Sequence, residues 1–290
     1  MIARFVTVVC ILAWFALGSA RGIEPVKDIR VMSFNVRTST APDGANGWSH
    51  REGLFFRTID AFNPDLVGFQ EVRPDQHDDI AARMKDYTLT GVARDDGKRK
   101  GEWSLIAFRK ERFDLLDSGT FWLSNKPEVP GSVGWDAKLT RICSWARLKD
   151  KTNGKEFVFA NTHYDHIGQR ARENSSRLIM KKLPKLSLGH PIIMTGDFNT
   201  KENETPYQTI TRPTEPDMAH FTDSYHEVYP KHSPDEASFH GFKGTVLGSR
   251  IDFILHTPEL HAISATIDRT KSAEGKFPSD HYPVTAVLRW

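Results

Sequence analysis

Pro191-Ile-Ile-Met-Thr-Gly-Asp-Phe-Asn199 decides how this chain is read. Residues 191–195 are a short apolar run, the length and composition of a buried strand rather than of a helix. The run then meets Asp197 and Asn199. Working outward, the same change from apolar to polar recurs at other strand ends. The strand expected at 29–35 runs into Asn35, the one at 66–70 into Glu71, and the one at 157–161 into His163. The strand at 251–255 begins beside Arg250 and carries Asp252, and Ser279, Asp280 and His281 precede a last strand at 284–290. Taken singly, an Asp or Asn at a strand end is a turn former. Six such ends are better explained together, because burying unpaired charge is costly and one shared cluster gives each group a partner.

The remaining segments fill in a layered protein. Helical spacing covers 53–62, ending before Asn63-Pro64, as well as 75–84 and 169–183, which closes at Pro184. Further strands are expected at 104–108, 113–122 and 143–148, the last pairing with 157–161 across an Asn153-Gly154 turn. Segments 123–138 and 201–249 are loop-rich. Strands outnumber helices, and the alternation is too irregular for a doubly wound sheet. With no repeat and no linker, residues 21–290 form one mixed α/β domain with sheets packed on each other and helices outside.

Composition narrows the partners. Lys and Arg number 39 and Asp and Glu 37, a formal net charge of +2, which excludes a protein that coats nucleic acid by bulk charge. Arg4, an apolar run from Phe5 to Leu17 and Gly18-Ser19-Ala20 read as an export signal over residues 1–20, with an uncleaved N-terminal anchor as the alternative, so the protein is expected to be secreted or periplasmic. No later stretch is long and apolar enough for a membrane helix. Cys10 leaves with the signal, and Cys143 remains as a small buried hydrophobe.

The strand-end residues suit hard-cation chemistry. Asn35, Glu71 and Asp280 offer oxygen ligands, which favour Mg²⁺, Mn²⁺ or Ca²⁺. No Cys/His spacing resembles a zinc site, and no phosphate loop or nucleophile elbow is present. A carboxylate-held metal, a second carboxylate for water and a histidine to meet developing charge suit phosphate-ester hydrolysis.

Six segments, in order, carry a resemblance: Ser-Phe-Asn-Val-Arg at 33–37, Gly-Phe-Gln-Glu-Val at 68–72, Asn-Thr-His at 161–163, Thr-Gly-Asp-Phe-Asn at 195–199, Arg-Ile-Asp-Phe-Ile at 250–254 and Ser-Asp-His-Tyr-Pro-Val at 279–284. Together they resemble the endonuclease/exonuclease/phosphatase superfamily with the DNase I-like fold. Gly119-Thr-Phe-Trp-Leu-Ser124, followed by Trp135-Asp136, looks most like secreted bacterial members related to nocturnin and the deadenylases. The resemblance implies a four-layer α/β sandwich, two mixed sheets flanked by helices. It implies Glu71 as the main Mg²⁺ ligand, with Asn35 and Asp280 close to the metal, Mn²⁺ as a substitute, and one or two ions. Asp197 would orient or deprotonate water, and Asn199 would hold the water or phosphate. His281 would contact the scissile phosphate, Asp252 would fix its tautomer, and His163 would be a second phosphate-contacting histidine with Glu102 as its partner. Where some repair nucleases of the superfamily carry Asp, this chain has Arg37, a substrate-phosphate contact or a surface arginine.

Arg170 and Arg172 follow His163 and are candidate phosphate contacts, against the simpler reading of a solvated helix face. Trp48, Arg51, Trp103, Trp122 and Trp135 lie in or near the loops; the tryptophans could stack on bases, pack a sugar or fill the core. The leading expectation is an exported, Mg²⁺-dependent, monomeric phosphodiesterase with nucleic acid as the first substrate class. The alternatives are a phosphatase or phosphodiesterase on a lipid headgroup, inositol phosphate or sugar phosphate, and a non-catalytic binding protein on the same fold.

Overall fold

Strands covered on both faces have no solvent side to alternate with, so they read as continuous apolar runs. The computed structural model describes residues 27–213 and 219–290; the export signal expected at 1–20 lies outside the described residues. In chain order the strands are β1 (Ile29–Asn35), β2 (Leu66–Val72), β3 (Tyr87–Thr90), β4 (Trp103–Arg109), β5 (Phe113–Trp122), β6 (Ile142–Asp150), β7 (Glu156–His163), β8 (Ile192–Asp197), β9 (Thr222–Asp223), β10 (Asp252–His256), β11 (His261–Ile267) and β12 (Val284–Arg289). The helices are α1 (Trp48–Phe62), α2 (Pro74–Arg83), α3 (Gln169–Ser187), α4 (Thr205–Thr211) and α5 (Ser224–Val228). One six-stranded sheet is ordered β11-β12-β1-β2-β4-β3 and the other β5-β6-β7-β8-β10-β9.

Alternation survives inside each strand as a choice between two cores. Phe157 and Phe159 of β7 face the layer between the sheets, with Val31, Leu66, Phe108, Ile193 and Ile254. Val158 and Ala160 face outward onto Ile179, Met180 and Leu183 of α3. In the other sheet Phe34 and Phe69 pack outward on Phe55 and Ile59 of α1. The result is a helix–sheet–sheet–helix sandwich, the DNase I-like architecture.

Each sheet has one parallel pair at its heart, β1 with β2 and β7 with β8. A parallel pair needs a crossover, supplied by α1 in one sheet and α3 in the other. The C-terminal ends of all four strands open on one edge of the sandwich, where Asn35 of the first sheet hydrogen-bonds Asp197 of the second.

Several boundaries moved. Helix α1 starts at Trp48, five residues before the expected 53. Helix α3 runs through Pro184 to Ser187. Proline removes a single N–H, and buried Leu183 and Ser187 hold the last turn against the core, with the Ser187 hydroxyl donating to the Pro184 carbonyl at 3.0 Å. Strands β3, β9 and β11 were not expected. Of β11 only Ala265 and Ile267 are buried, so this edge strand carries little apolar signal.

Candidate active site

Register places the core of the site. Asp197 at the end of β8 lies opposite His163 on β7 and opposite Asp252 on β10, so the three form one row across the sheet. His281, just before β12, closes the row from the other sheet: its Nδ1 lies 2.8 Å from Asp252 Oδ2 and its Nε2 lies 3.8 Å from Asp197 Oδ2. All four side chains are buried.

The backbone bends where the first sheet joins in. Glu71 interrupts the β2–β4 ladder at an irregularity between Phe69 and Val72 and has a φ of +64°. Arg37 (+56°) and Asn199 (+45°) share this left-handed conformation. Non-glycine residues rarely hold it, and where they do the strain is often stored at a functional site. Asn35 Nδ2 donates to Glu71 Oε1 at 3.0 Å and to Asp197 Oδ2 at 2.9 Å. Its Oδ1 accepts from the Arg37 N–H. Asn35 therefore clamps two carboxylates with its nitrogen, where the sequence suggested an oxygen facing the cation. Thr38 N–H holds Glu71 Oε2 at 2.9 Å. Arg51 is 3% exposed and binds the carbonyls of Val36, Arg37 and Pro278, tying the Asn35 loop to the Asp280 loop.

The electrostatics separate the titrating groups. Burial presses on a charge at His281, but Asp252, Asp197 and Asp280 outweigh it and hold the imidazole well above its ordinary pKa. Burial and the Arg141 and Arg94 charges drive His163 well below its own. One histidine is thus cationic and the other neutral. Burial and the facing Asp252 push the Asp197 carboxyl up, to about 7, against the pull of His281. A buried carboxyl in that range is suited to accept a proton near neutral pH. Burial also lifts Glu71, but His281, Asn35, Thr38 and Arg37 reverse this and keep it ionised. Burial holds Asp280 above the usual range.

Glu71, His163 and Asp197 bring one ligand atom each within 4.8 Å of one another, as do Asp197, Asp252 and His281. A carboxylate wall with Asp280 beside it fits a hard divalent cation. The sequence-derived residues thus gather at one cavity of about 310 Å³, lined by Arg37, Glu71, His163, Asp197, Asn199, Asp280 and His281 among others. Asn199 is held by hydrogen bonds from its N–H to Asp197 and from its Nδ2 to the Tyr164 carbonyl. Arg37 lines the cavity with its guanidinium paired to Asp43 through two 2.9 Å bonds and 3.5 Å from Asp280.

Other expected residues lie elsewhere. Arg170 and Arg172 sit in the first turn of α3 and do not line this cavity; Arg172 binds the Asp165 carbonyl and the Gln169 side chain instead. Glu102 lines the cavity but pairs with Arg94 at 2.6 Å, while His163 Nδ1 is buried with no protein partner. Trp48, Trp103 and Trp122 fill the core.

Sequence reasoning missed Arg141 and Phe239. Arg141, one residue before β6, is 4% exposed, yet its Nε and Nη1 have no hydrogen-bond partner. Its Nη2 meets His166 Nδ1 at 3.1 Å. Phe239 is 49% exposed at the mouth, its ring 5.0 Å from that of His281. The only sequence hint of Arg141 was a charge just ahead of an apolar strand.

An endonuclease/exonuclease/phosphatase protein from Bacteroides vulgatus is 36% identical, with a TM-score of 0.82 over 91% of this chain and 99% of that one. A mannosyl-6-phosphatase from Bacteroides thetaiotaomicron is 35% identical, with a TM-score of 0.81 over 90% of this chain and 100% of that one. The human nocturnin catalytic domain, 22% identical with a TM-score of 0.70 over 90% of this chain and 94% of that one, shares the fold. Two uncharacterised mimivirus proteins are 26% and 30% identical, and the aligned region spans only 33% and 60% of their lengths. The Endonuclease/Exonuclease/phosphatase family matches residues 32–281, and this chain belongs to it.

Proposed function

We propose that this chain is an exported, Mg²⁺-dependent phosphomonoesterase acting on a small phosphorylated molecule of sugar type. The observation that carries the reading is Arg141, a buried cation lining the cavity, with Nε and Nη1 without a hydrogen bond and Nε 3.8 Å from Asp165 Oδ1. Burial and the neighbouring Arg94 press against its charge, and a phosphate dianion would relieve both. A terminal phosphate has three oxygens to share among Arg141, His281 and the cation. A diester has two free oxygens, and its second arm would have to leave past Leu139 and Phe239. The 35%-identical mannosyl-6-phosphatase supports the same class.

Glu71 and Asp280 would hold the cation, which when bound neutralises phosphate oxygens and polarises water. Asp197 takes the proton of the attacking water, and Asn199 holds that water or a phosphate oxygen. His281, kept charged by Asp252, stabilises the growing charge on phosphorus. Water adds in line, the ester P–O bond breaks, the leaving alkoxide takes a proton from solvent water and Asp197 returns its own to solvent, giving alcohol and inorganic phosphate. Phe239 would pack against the sugar face. Export rests on residues 1–20, with their leading charge, apolar run and small residues.

The test is hydrolysis of hexose 6-phosphates, p-nitrophenyl phosphate, bis-p-nitrophenyl phosphate and oligonucleotides, with Mg²⁺ or with EDTA. EDTA should abolish turnover and Mg²⁺ restore it. Charge-assisted hydrogen bonds from Arg141 and His281 to the extra phosphate oxygen predict a kcat/KM for monoesters at least about 100-fold above that for diesters. Arg141→Ala should remove about 100-fold from the monoester and far less from the diester. A preference for the diester or for oligonucleotides would replace this reading with that of a phosphodiesterase.

A further inference from the structure

A second polar cleft, of about 1030 Å³, is lined by Glu202, His226, His232 and Glu236 among others, none of them used by the phosphoester reading. These four residues come from the loop after β8, from α5 and from the loop that follows it. Each offers one ligand atom, and the four atoms lie within 4.8 Å of one another. Glu202 Oε2 is 2.6 Å from His226 Nε2 and 3.2 Å from His232 Nδ1, and Glu236 Oε2 is 3.4 Å from His232 Nδ1. With metal–ligand bonds of about 2.0–2.1 Å, neighbouring ligands of a tetrahedral zinc ion stand about 3.3 Å apart.

The second observation is how the donors are supported. Each carboxylate spends one oxygen on the protein and presents the other to the cluster. Glu202 Oε1 is held by Arg250 at 2.5 Å, and Glu236 Oε1 accepts from the Ser233 N–H at 2.8 Å. His226 Nδ1 lies 3.0 Å from the Tyr229 carbonyl, which can only accept, so Nδ1 carries the hydrogen. In the neutral imidazole, Nε2 is then a lone pair facing a carboxylate oxygen at 2.6 Å, so the pair is held either by a second ring proton or, after opening by about 0.7 Å, by a cation that both atoms ligate. An Nδ1–H bound to a backbone carbonyl, with Nε2 free, is how metal-ligating histidines are usually oriented.

We propose that Glu202, His226, His232 and Glu236 form a structural site for a divalent transition ion of the zinc class. Two imidazoles with two one-oxygen carboxylates suit Zn²⁺ better than Mg²⁺ or Ca²⁺, which take oxygen. The ion would brace the loops beside the catalytic cavity. Glu202 follows Asn199 by three residues, and Glu236 precedes Phe239 by three. Between them Arg250 joins Glu202 to Asp223, and Ser238 Oγ accepts from the N–H groups of Ile251 and Asp252.

The test strips the whole protein with EDTA, reloads it with Zn²⁺ or Co²⁺, and removes loose ions by gel filtration. One ion per chain should remain, the Co²⁺ form should give the intense visible bands of four-coordination, and the melting temperature should rise. Since loss of a supporting partner alone costs 10–100-fold in metal affinity, His226→Ala and His232→Ala should each weaken binding by at least about 100-fold. His232 has a side chain 67% exposed, so that variant removes a ligand without opening the core. Glu71→Gln, which disables the catalytic centre, should leave the Co²⁺ spectrum unchanged. A spectrum lost in Glu71→Gln, or kept in the His226→Ala/His232→Ala double variant, would put the ion elsewhere and overturn the proposal. So would the absence of any retained ion, which would leave His226 held by its second proton.

Discussion

Asp197→Asn should lower kcat on phosphoesters by about 10³-fold or more, the upper part of the range for a lost general base, and should raise the melting temperature. The two effects have one cause. Asp197 is 1% exposed and lies directly opposite Asp252 on the next strand, itself 1% exposed. Between them stand one cationic histidine and the Asn35 amide. Two carboxylates sharing so little countercharge repel, which is why burial and Asp252 lift the Asp197 carboxyl. Asparagine keeps the shape and removes the repulsion and the base, while its amide nitrogen gives up one of the two hydrogen bonds that Asp197 accepts from Asn35 and Asn199. A site that holds strain for function gives up stability to do so. Asp252→Asn makes a useful contrast, because it removes the carboxylate bound to His281 Nδ1 at 2.8 Å. That variant should lose activity through the orientation and charge of His281, and it should not gain as much stability. Steady-state kinetics with saturating metal and thermal melts of the same samples decide the matter. An Asp197→Asn enzyme within tenfold of wild type would remove Asp197 from proton transfer.

Much of this site was legible because chemistry sits at strand ends, and strand ends can be read from a single chain. Asn35, Glu71, His163, Asp197 and Asp252 each end or begin an apolar run, and the sheet register brings them together without help from long loops. Arg141 was not legible, although it too adjoins a strand. What singles it out is that two of its nitrogens are buried without a hydrogen bond, and hydrogen-bond counts exist only in three dimensions. Phe239 and the Glu202–Glu236 cluster lie within the loop-rich stretch 201–249, where no periodicity ties a residue to a face. Arg170 and Arg172 were placed by nearness to His163 in sequence. The helix leaving that strand turns them onto Asp165, Gln169 and solvent instead. Tryptophan showed the same limit: Trp122 donates from its indole to the Arg94 carbonyl inside the protein, where sequence alone allowed a base-stacking role.

Gly68→Ala should be the most damaging methyl group that can be added to the middle of the sandwich. Gly68 lies on β2 where the two sheets approach, and a Cβ there would sit 2.0 Å from Thr195 Oγ1 and 2.6 Å from Asn161 Oδ1. Neither neighbour can retreat. Asn161 is fully buried, donates to the carbonyls of Phe69 (2.8 Å) and Leu105 (2.9 Å) in the opposite sheet, and accepts from Gln70 (2.7 Å) and Thr195 (3.1 Å). Making room means breaking that bridge between the sheets and leaving buried polar groups unpaired, each at about 1–3 kcal/mol, on top of the overpacking itself. The expected loss is at least about 3 kcal/mol, a fall in melting temperature of roughly 6–12 °C for a domain of this size. Activity at low temperature should fall as well, because the same bridge joins the strands that carry Glu71, His163 and Asp197. Gly53→Ala is the control: at an exposed position of α1 its Cβ would meet only Arg57 Nη1 at an ordinary 3.5 Å, and it should stabilise by about 0.5–1 kcal/mol. Equal melting temperatures for the two variants would mean that the Asn161 bridge does not hold the sheets together.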